Sequence, residues 1–306
     1  MKSMTAELYY FSGTGNSLYV TDQISQKIPY SNLIPIPALL NEKSDETKKI
    51  KRNHKSFKTS ADIVGFIFPC HGITIPVIVR KFLKMLDIAS SDFLFAVVTR
   101  GGSIFRGFSA INKIIAKQDK QLDATFVINM GMNDPKLKEF SVPTEEEFKE
   151  FEENVQKKVE LIHRIVNNRG EYHDNISGIN FTRYKWINYI LERLIPFFMN
   201  HYATGMKSYF YVDSKCTSCG ICEKMCLANK IKLIDDQPIW QEDMECYLCY
   251  GCLNFCPNEA IQIYDKIYMK SYTPERGRYP HPYAKVNDMV NQKSLKELGT
   301  DKYVIT

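Results

Sequence analysis

Short apolar runs alternate with longer amphipathic stretches from residue 1 to about residue 170. The apolar runs predict strands at Glu7–Phe11, Leu33–Ile36, Ile63–Phe68, Leu94–Thr99 and Ala124–Met130. The amphipathic stretches predict helices at Asn16–Ile28, Pro76–Leu86, Ser109–Lys117 and Thr144–Asn167, the last with a Thr144/Glu147 capping box. The last three strands are almost continuously apolar, which is typical of a parallel sheet buried on both faces. The pattern therefore predicts an α/β fold with a doubly wound parallel sheet of five strands over residues 1–170.

The rest of the chain divides into three segments of different composition. Residues 171–206 are rich in aromatic residues and mainly helical in pattern, and we expect this connector to pack between two domains. Residues 207–270 contain eight of the nine cysteines. Residues 271–306, with prolines at 274, 280 and 282, predict an extended C-terminal arm over the surface, to which we assign no chemistry.

The eight clustered cysteines form an internal repeat. One set is Cys216, Cys219, Cys222 and Cys226, and a second set follows thirty residues later at Cys246, Cys249, Cys252 and Cys256. Both sets have the spacing Cys-x2-Cys-x2-Cys-x3-Cys. Thiolates are the soft ligands that iron–sulfur clusters need, and two-residue spacings let a tight turn place three of them around one cluster. Zinc is the weaker alternative, because zinc sites use four ligands but not two interlocked sets at this spacing.

This segment resembles the bacterial two-cluster ferredoxins, in which the fourth cysteine of each run binds the other cluster. The resemblance implies a small ferredoxin-like α+β domain with two [4Fe–4S] clusters. One would be bound by Cys216, Cys219, Cys222 and Cys256, and the other by Cys246, Cys249, Cys252 and Cys226. Leu227 departs from the family, which usually has a proline after the fourth cysteine. We expect Gly220 and Gly251 to supply room close to the sulfurs.

A glycine-rich loop follows the first predicted strand and leads directly into a helix. It consists of Ser12, Gly13, Thr14, Gly15, Asn16 and Ser17. A strand–loop–helix of this kind places backbone N–H groups and a positive helix end around an anion, and the loop's hydroxyl and amide side chains add donors. The loop contains no lysine and position 18 is Leu, so neither the nucleotide P-loop nor the dinucleotide motif is complete. The loop therefore predicts a phosphate site.

The run Tyr10–Ser17 resembles the FMN phosphate loop of flavodoxins. Together with the cysteine sets it resembles the flavodoxin–ferredoxin fusion proteins of the EFR1 family, over roughly residues 5–265. The resemblance implies a flavodoxin-like first domain that binds FMN. It also implies a flavin ring against the loops after the third and fourth predicted strands, which sit beside the switch point of such a sheet. Those loops are Pro69, Cys70, His71 and Gly72, and Thr99, Arg100, Gly101 and Gly102.

Several of these ring-loop residues have a second interpretation. Cys70 is also typical of a small buried hydrophobic residue, and His71 of a passive loop residue. Arg100 is expected to pair with an anionic flavin, an acidic partner or a substrate, or to be an ordinary surface charge. Thr99, Gly101 and Gly102 either present backbone groups to the flavin or form a simple turn.

Composition narrows the classes of partner. The chain has 306 residues and a formal charge of +5. Two clusters and one FMN phosphate would bring the total to roughly −1, so the composition does not predict nucleic-acid binding. Nine cysteines without an export signal predict a reducing compartment, by default the cytoplasm. The longest apolar stretch is interrupted by Glu192 and Arg193, and we expect no transmembrane segment.

The pairing of cofactors predicts electron transfer. FMN exchanges one or two electrons and each cluster exchanges one, so one chain would form a relay without a diffusional encounter. Low-potential clusters suit anaerobic metabolism, and a redox partner protein would supply or accept the electrons. The alternative is an FMN-dependent reductase, fed by its own clusters, of a small organic substrate held by Cys70, His71 and Arg100. A redox-sensing module is a third interpretation.

Overall fold

The computed structural model describes residues 4–42, 57–137, 139–178, 182–201, 209–264 and 274–295. The first eight strands are β1 (Ala6–Tyr10), β2 (Ser31–Pro35), β3 (Phe57–Lys58), β4 (Ile63–Pro69), β5 (Leu86–Asp87), β6 (Phe93–Arg100), β7 (Ala124–Asn129) and β8 (Tyr172–His173). Six of them form one parallel sheet in the order β2-β1-β4-β6-β7-β8, while β3 and β5 form a separate parallel pair. The first five strands of this order have the flavodoxin-like arrangement, which confirms the predicted fold class. The sixth strand, β8, was not predicted, because two residues are too short to show a period.

Helices cover both faces of the sheet. They are α1 (Asn16–Lys27), α2 (Ile36–Glu42), α3 (Val77–Met85), α4 (Gly107–Ile115) and α5 (Glu145–Asn168). Side chains of α2, α3 and α4 belong to one apolar core, and those of α1 and α5 to the other. The β4 strand serves both, with Phe66 and Phe68 in the first core and Ile63 and Ile67 in the second. This division between two cores is why the central strands are apolar throughout.

The capping box at the start of α5 is present as the sequence predicted. The Thr144 hydroxyl accepts a hydrogen bond from the Glu147 backbone N–H at 3.2 Å, and the Glu147 carboxylate accepts one from the Thr144 N–H at 2.8 Å. The two side chains accept hydrogen bonds from backbone N–H groups that would otherwise have no partner at the start of a helix. The helix therefore begins where the two residues meet.

The cysteine-rich segment folds around a small third core. Its elements are β9 (Phe210–Val212), α7 (Ile221–Met225), β10 (Ile231–Ile234), β11 (Gln237–Trp240), α8 (Gly251–Asn254) and β12 (Ile261–Ile263). β10 pairs with β11 and β9 pairs with β12, both antiparallel. α7 and α8 begin thirty residues apart, and so do β10 and β12. The sequence repeat is therefore a structural repeat.

The connector contains helix α6 (Lys185–His201). The packing of this helix differs from the packing between two domains that the sequence predicted. Its aromatic and aliphatic side chains are largely exposed, with Trp186 at 66% and Leu194 at 56%. Asn188 is buried on the opposite side, and Glu192 forms an ion pair with Arg106. The Glu192–Arg106 ion pair thus links this helix to the first domain.

The C-terminal arm was predicted to be extended, but its described part contains regular secondary structure. Its described part contains a short 3-10 turn at Pro274–Arg276 and helix α9 (Val286–Asn291). Leu295, just beyond α9, and Leu227 of the cysteine segment are both buried in the core formed by α2, α3 and α4. Leu227 stands where proline was expected from the ferredoxin resemblance, and its side chain helps to join the two domains.

Candidate functional site

The glycine loop connects β1 to α1 and is buried, with Ser12 only 1% exposed and Thr14 2% exposed. Gly15 has a φ of +104° and forms the N-cap of α1 without a capping side chain. A left-handed backbone conformation at this position favours glycine. Because the helix start has no capping side chain, its first N–H groups remain available to an anion. The Gly15 N–H itself donates to the Ser12 hydroxyl at 3.1 Å. The loop therefore has the local geometry expected of a phosphate site.

The two loops predicted to contact the flavin ring, residues 69–72 and 99–102, are called the ring loops. They lie at the same edge of the sheet as the glycine loop. The Ser17 and Thr99 hydroxyls are 2.7 Å apart, and the Cys70 N–H donates to the Thr99 carbonyl at 2.8 Å. Pro69 ends β4 and Arg100 ends β6, so parallel pairing places both loops beside α1. The structure thus brings together all three loops that the sequence singled out.

Pro69 and Cys70 lead into a tight turn centred on Gly72. The backbones of His71 and Thr74 pair across it, and both Gly72 (φ +53°) and Ile73 (φ +59°) are left-handed. Such a conformation is unfavourable for a β-branched residue, and it persists only where the surroundings hold it. The turn therefore presents the His71 side chain in a fixed position.

Cys70 and His71 each have a protein partner. The Cys70 sulfur is 3.8 Å from the Ser103 hydroxyl, and burial raises the pKa of this thiol to about 11. Burial lowers the pKa of His71 to about 4, against the opposing effect of a hydrogen bond with the Tyr247 backbone. Phe11 packs edge-on against both the His71 and Tyr247 rings, at 5.9 and 6.3 Å between centroids. His71 thus links the ring loop to the second cysteine set.

Arg100 is a structural anchor. Its guanidinium donates to the Ser103 and Ile176 carbonyls at 2.7 and 3.0 Å, to the Ser177 carbonyl at 2.7 Å and to the Asn129 side chain at 2.9 Å. The side chain is therefore directed into the protein rather than toward an anionic ligand or partner. Beyond it, Gly101 packs against Met132, and Gly102 has a φ of +94°.

The cysteines converge in two groups of four. One cavity is lined by Cys216, Cys219, Cys222 and Cys256, and another by Cys226, Cys246, Cys249 and Cys252. Each group contains three cysteines of one run and the fourth cysteine of the other run. Within the described residues, no three His, Cys, Asp or Glu side chains are arranged to hold a single metal ion.

The backbone around the two groups repeats as the sequence does. Left-handed residues occur at Ser218 and Gly220 in the first run and at Leu248 and Tyr250 thirty residues later. A further pair follows the two fourth cysteines, at Asn229 and Glu259. Non-glycine residues rarely adopt this conformation. The matching positions therefore indicate loops shaped around the same kind of ligand.

The second cysteine group is a deeply desolvated site. Burial, with a smaller effect of the neighbouring cysteines, raises the pKa of Cys246 and of Cys249 to about 12. Backbone N–H groups point at sulfurs in both groups, from Leu248 to Cys246 at 3.3 Å and from Ala260 to Cys256 at 3.2 Å. Four thiolates in such a place need bound positive charge, which iron supplies. The residues present therefore fit an iron–sulfur cluster.

The glycine loop and the second cysteine group are in direct contact. A Cβ atom at Gly13 would lie 2.2 Å from the Cys249 carbonyl oxygen and 2.6 Å from the Cys249 Cβ. A Cβ atom at Gly251 would lie 2.9 Å from the Gly13 carbonyl oxygen. Since real Cβ atoms do not approach other atoms so closely, glycine is required for this contact. Gly251 thus provides room for the loop, whereas nothing lies within 4 Å of a Cβ at Gly220.

Four residues at this contact were not found from the sequence. The Asn133 side chain donates to the Thr14 hydroxyl, and its carbonyl accepts from Asn254 at 3.1 Å. The His281 N–H donates to the Thr14 carbonyl at 2.8 Å, and Gln292 binds both backbone groups of Ser12. Their partners are 119 or more residues away along the chain, so no local pattern could have shown them.

In the part of the chain that the structure describes, no helix combines the length and the apolar composition needed to cross a membrane.

Comparisons with known proteins concern the two halves separately. Residues 215–261 match the 4Fe-4S dicluster domain family. A search of curated protein sequences gives no significant match. Among solved structures, an FMN-dependent NADH-azoreductase from Bacillus anthracis is similar, with 11% identity, 54% of this chain and 100% of that chain covered, and a TM-score of 0.34. A flavodoxin from the domain Archaea is also similar, with 14% identity and a TM-score of 0.30. The matched region covers 52% of this chain and 99% of the flavodoxin chain.

At these identities the solved structures say nothing of cofactor or activity, and the fold rests on the observed strand order. The family match covers all eight clustered cysteines. The chain therefore joins a flavodoxin-like parallel-sheet domain to a segment that is similar to the 4Fe-4S dicluster domains.

Proposed function

We propose that this chain is an electron-transfer iron–sulfur flavoprotein, which relays electrons between two [4Fe–4S] clusters and FMN. The clusters would be held by the two groups of four cysteines, and FMN by the glycine loop and the two ring loops. The proposal extends to membership in the EFR1 family of flavodoxin–ferredoxin fusions. It also includes a reducing cytoplasmic location and anaerobic metabolism.

The contact between Gly13 and Cys249 is the observation that carries this proposal. It brings the backbone of the predicted phosphate loop against Cys249, a predicted ligand of the second cluster. His71 and Tyr247 add a second link, from the ring loop to the same cysteine run. Two cofactor sites that share contacts on one chain need no diffusional encounter to exchange electrons.

The order of the sites supports a relay with one entry point. Cys219 of the first group is exposed, whereas every cysteine of the second group is at least half-buried. Cys252 of the second group is close enough to Cys222 of the first for their charges to interact. A redox partner protein would therefore meet the first group, and the second group would lie between it and the flavin site.

FMN, when bound, supplies a centre that exchanges one or two electrons, while each cluster exchanges one. The residues of this chain bind and orient these groups and exclude water from them. The left-handed turn at Gly72 and Ile73 fixes one ring loop, and the Arg100 guanidinium fixes the other. Both loops are thus held before any cofactor binds.

No observation favours a separate substrate site. The three side chains that would hold a small organic substrate each have a protein partner: Ser103 for Cys70, the Tyr247 backbone for His71, and backbone carbonyls for Arg100. The reductase alternative therefore remains the second interpretation.

The test replaces one cysteine of each group and measures iron and electron transfer anaerobically. Wild-type protein should contain about eight irons per chain, and Cys219→Ala or Cys246→Ala about four. Each variant should reduce its flavin more slowly than wild type with a one-electron donor protein. Cys70→Ser is the control for iron content, since Cys70 lies outside both groups. Flavin reduction at the wild-type rate in both cluster variants would contradict the relay.

A further inference from the structure

We propose that the C-terminal segment 279–292 completes the phosphate site of the glycine loop, with Tyr279 and His281 donating hydrogen bonds to the phosphate end of FMN. This inference rests on the proposed function, and it assigns chemistry to a segment that the sequence left without any. It concerns binding and retention of the flavin rather than its redox chemistry.

The segment covers the loop from its outer side. The His281 N–H donates to the Thr14 carbonyl at 2.8 Å. A Cβ atom at Gly15 would lie 2.7 Å from the His281 Cβ and 2.4 Å from the Ala284 Cβ. The Gln292 side chain accepts from the Ser12 N–H at 2.9 Å and donates to the Ser12 carbonyl at 3.0 Å. The segment is therefore built against the loop at both of its ends.

Three buried polar atoms around the start of α1 have no hydrogen-bond partner among the described residues. They are Asn16 Oδ1, the Tyr279 hydroxyl and His281 Nε2. The three residues are 7%, 5% and 1% exposed. A buried polar group without a partner costs about 1–3 kcal/mol, so native proteins rarely leave one unmatched. Three such atoms around one uncapped helix start indicate a ligand.

Existing contacts place these atoms around the same turn. The Asn16 side-chain NH2 donates to the Gly131 carbonyl at 2.9 Å. The Tyr279 ring packs on Gly131, where a Cβ atom would lie 2.9 Å from the hydroxyl oxygen. The His281 ring stacks on Tyr19, one turn along α1, with centroids 4.5 Å apart. The three side chains therefore surround the N-terminal turn of α1.

The contacts also determine which atoms donate. His281 Nδ1 accepts from the Tyr283 N–H at 3.3 Å, so the proton of the neutral ring is on Nε2. Burial lowers the pKa of His281 to about 4 and raises that of Tyr279 to about 12, which keeps the ring neutral and the hydroxyl protonated near neutral pH. Asn16 Oδ1 is an acceptor, because its NH2 group is already bonded to Gly131.

Two donors and one acceptor match the chemistry of a phosphate ester that carries hydroxyl groups. Phosphate oxygens accept from Nε2–H, from the Tyr279 hydroxyl and from the free N–H groups of the helix start. An acceptor such as Asn16 Oδ1 requires a hydroxyl, and the ribityl chain of FMN has several. Riboflavin has the ribityl hydroxyls but lacks the phosphate.

The test compares FMN with riboflavin on the full chain after reversible removal of the flavin, by quenching of flavin fluorescence under anaerobic conditions. Tyr279→Phe removes only a hydroxyl, and His281→Phe keeps an aromatic ring on Tyr19. Each should weaken FMN binding about tenfold and leave riboflavin binding unchanged. The control is Tyr283→Phe, whose hydroxyl bonds Glu152 at the surface, and it should bind both flavins as wild type does.

The outcomes separate this inference from the proposed function. If wild-type protein binds FMN and both donor variants bind it equally well, the inference is overturned and the proposed function stands. Equal weakening of FMN binding and riboflavin binding would also overturn it, because the lost contacts would then not be contacts with the phosphate. If wild-type protein binds neither flavin, the proposed function is overturned together with the inference.

Discussion

Arg100 acts through the shape of its side chain. The planar guanidinium reaches the carbonyls of Ser103, Ile176 and Ser177 and the side chain of Asn129 at once. Ser103 follows the ring loop, and the other two carbonyls belong to the chain beyond β8. One residue therefore fixes three segments next to the proposed flavin site. Lysine has the same charge but a single point donor, so it cannot replace this fork.

We expect Arg100→Lys to lower the free energy of unfolding by about 1–3 kcal/mol, because buried carbonyls lose their donors. Urea unfolding of the anaerobic protein measures this loss. Arg106→Lys is the matched control, since the Arg106 side chain is exposed and its guanidinium forms an ion pair with Glu192. It should change stability by no more than about 1 kcal/mol. Equal stability of the two variants would contradict the anchoring role of Arg100.

At the scale of secondary-structure elements, two loops come into contact because glycine residues leave room between them. The loop before α1 and the loop before α8 contact each other at Gly13, Cys249 and Gly251. The first loop is the predicted phosphate site, and the second carries Cys246 and Cys249 of one group. Because both approaches exclude a Cβ atom, the separation of the two sites depends on these glycines.

We expect Gly13→Ala to force the two loops apart and to cost about 1–3 kcal/mol of stability, as overpacking does in a dense interior. The cysteine loop would have to move by a large fraction of an ångström, so flavin reduction through the clusters should also slow. Anaerobic urea unfolding and rapid-mixing spectroscopy measure the two effects.

Gly170→Ala is the control, because a Cβ there has its first neighbour at 3.8 Å. It should leave both quantities near their wild-type values. If Gly13→Ala behaves like this control, the close contact between the loops does not exist in solution.

Long elements with a clear period could be predicted from the sequence. The five long strands and four of the first five helices lie within two residues of their predicted ends. Helix α2 was missed because Ile36, its first residue, was included in a predicted strand, and its second residue is Pro37. Proline is in fact tolerated in a first helical turn. The strands β3, β5 and β8 have two residues each, too few for a period.

At the scale of the whole molecule, the site depends on contacts that no local pattern reveals. The two cysteine groups followed from their spacing and from the resemblance to ferredoxins, since each ligand type and interval is visible in the sequence. The C-terminal segment gave no such signal: Gln292 bonds to Ser12 across 280 residues. Its role depends on the way the two domains pack, with Leu227 and Leu295 in the core of the first domain.

The same packing joins the two domains into one unit. Lys81 of α3 and Glu245, next to Cys246, form an ion pair across the boundary, and Tyr247 and Cys249 pack against the first domain's core. The proposed flavin site and the second cysteine group are therefore held at a fixed separation. A relay of this kind does not depend on encounters between molecules.

The most direct test is the concentration dependence of electron transfer from the clusters to the flavin. The clusters of the anaerobic protein are reduced by a light-triggered one-electron donor, and flavin absorbance is then followed over a tenfold range of protein concentration. An intramolecular relay predicts a first-order rate constant that stays the same across this range. A rate constant that rises in proportion to protein concentration would show that electrons pass between molecules, and it would contradict the relay within one chain.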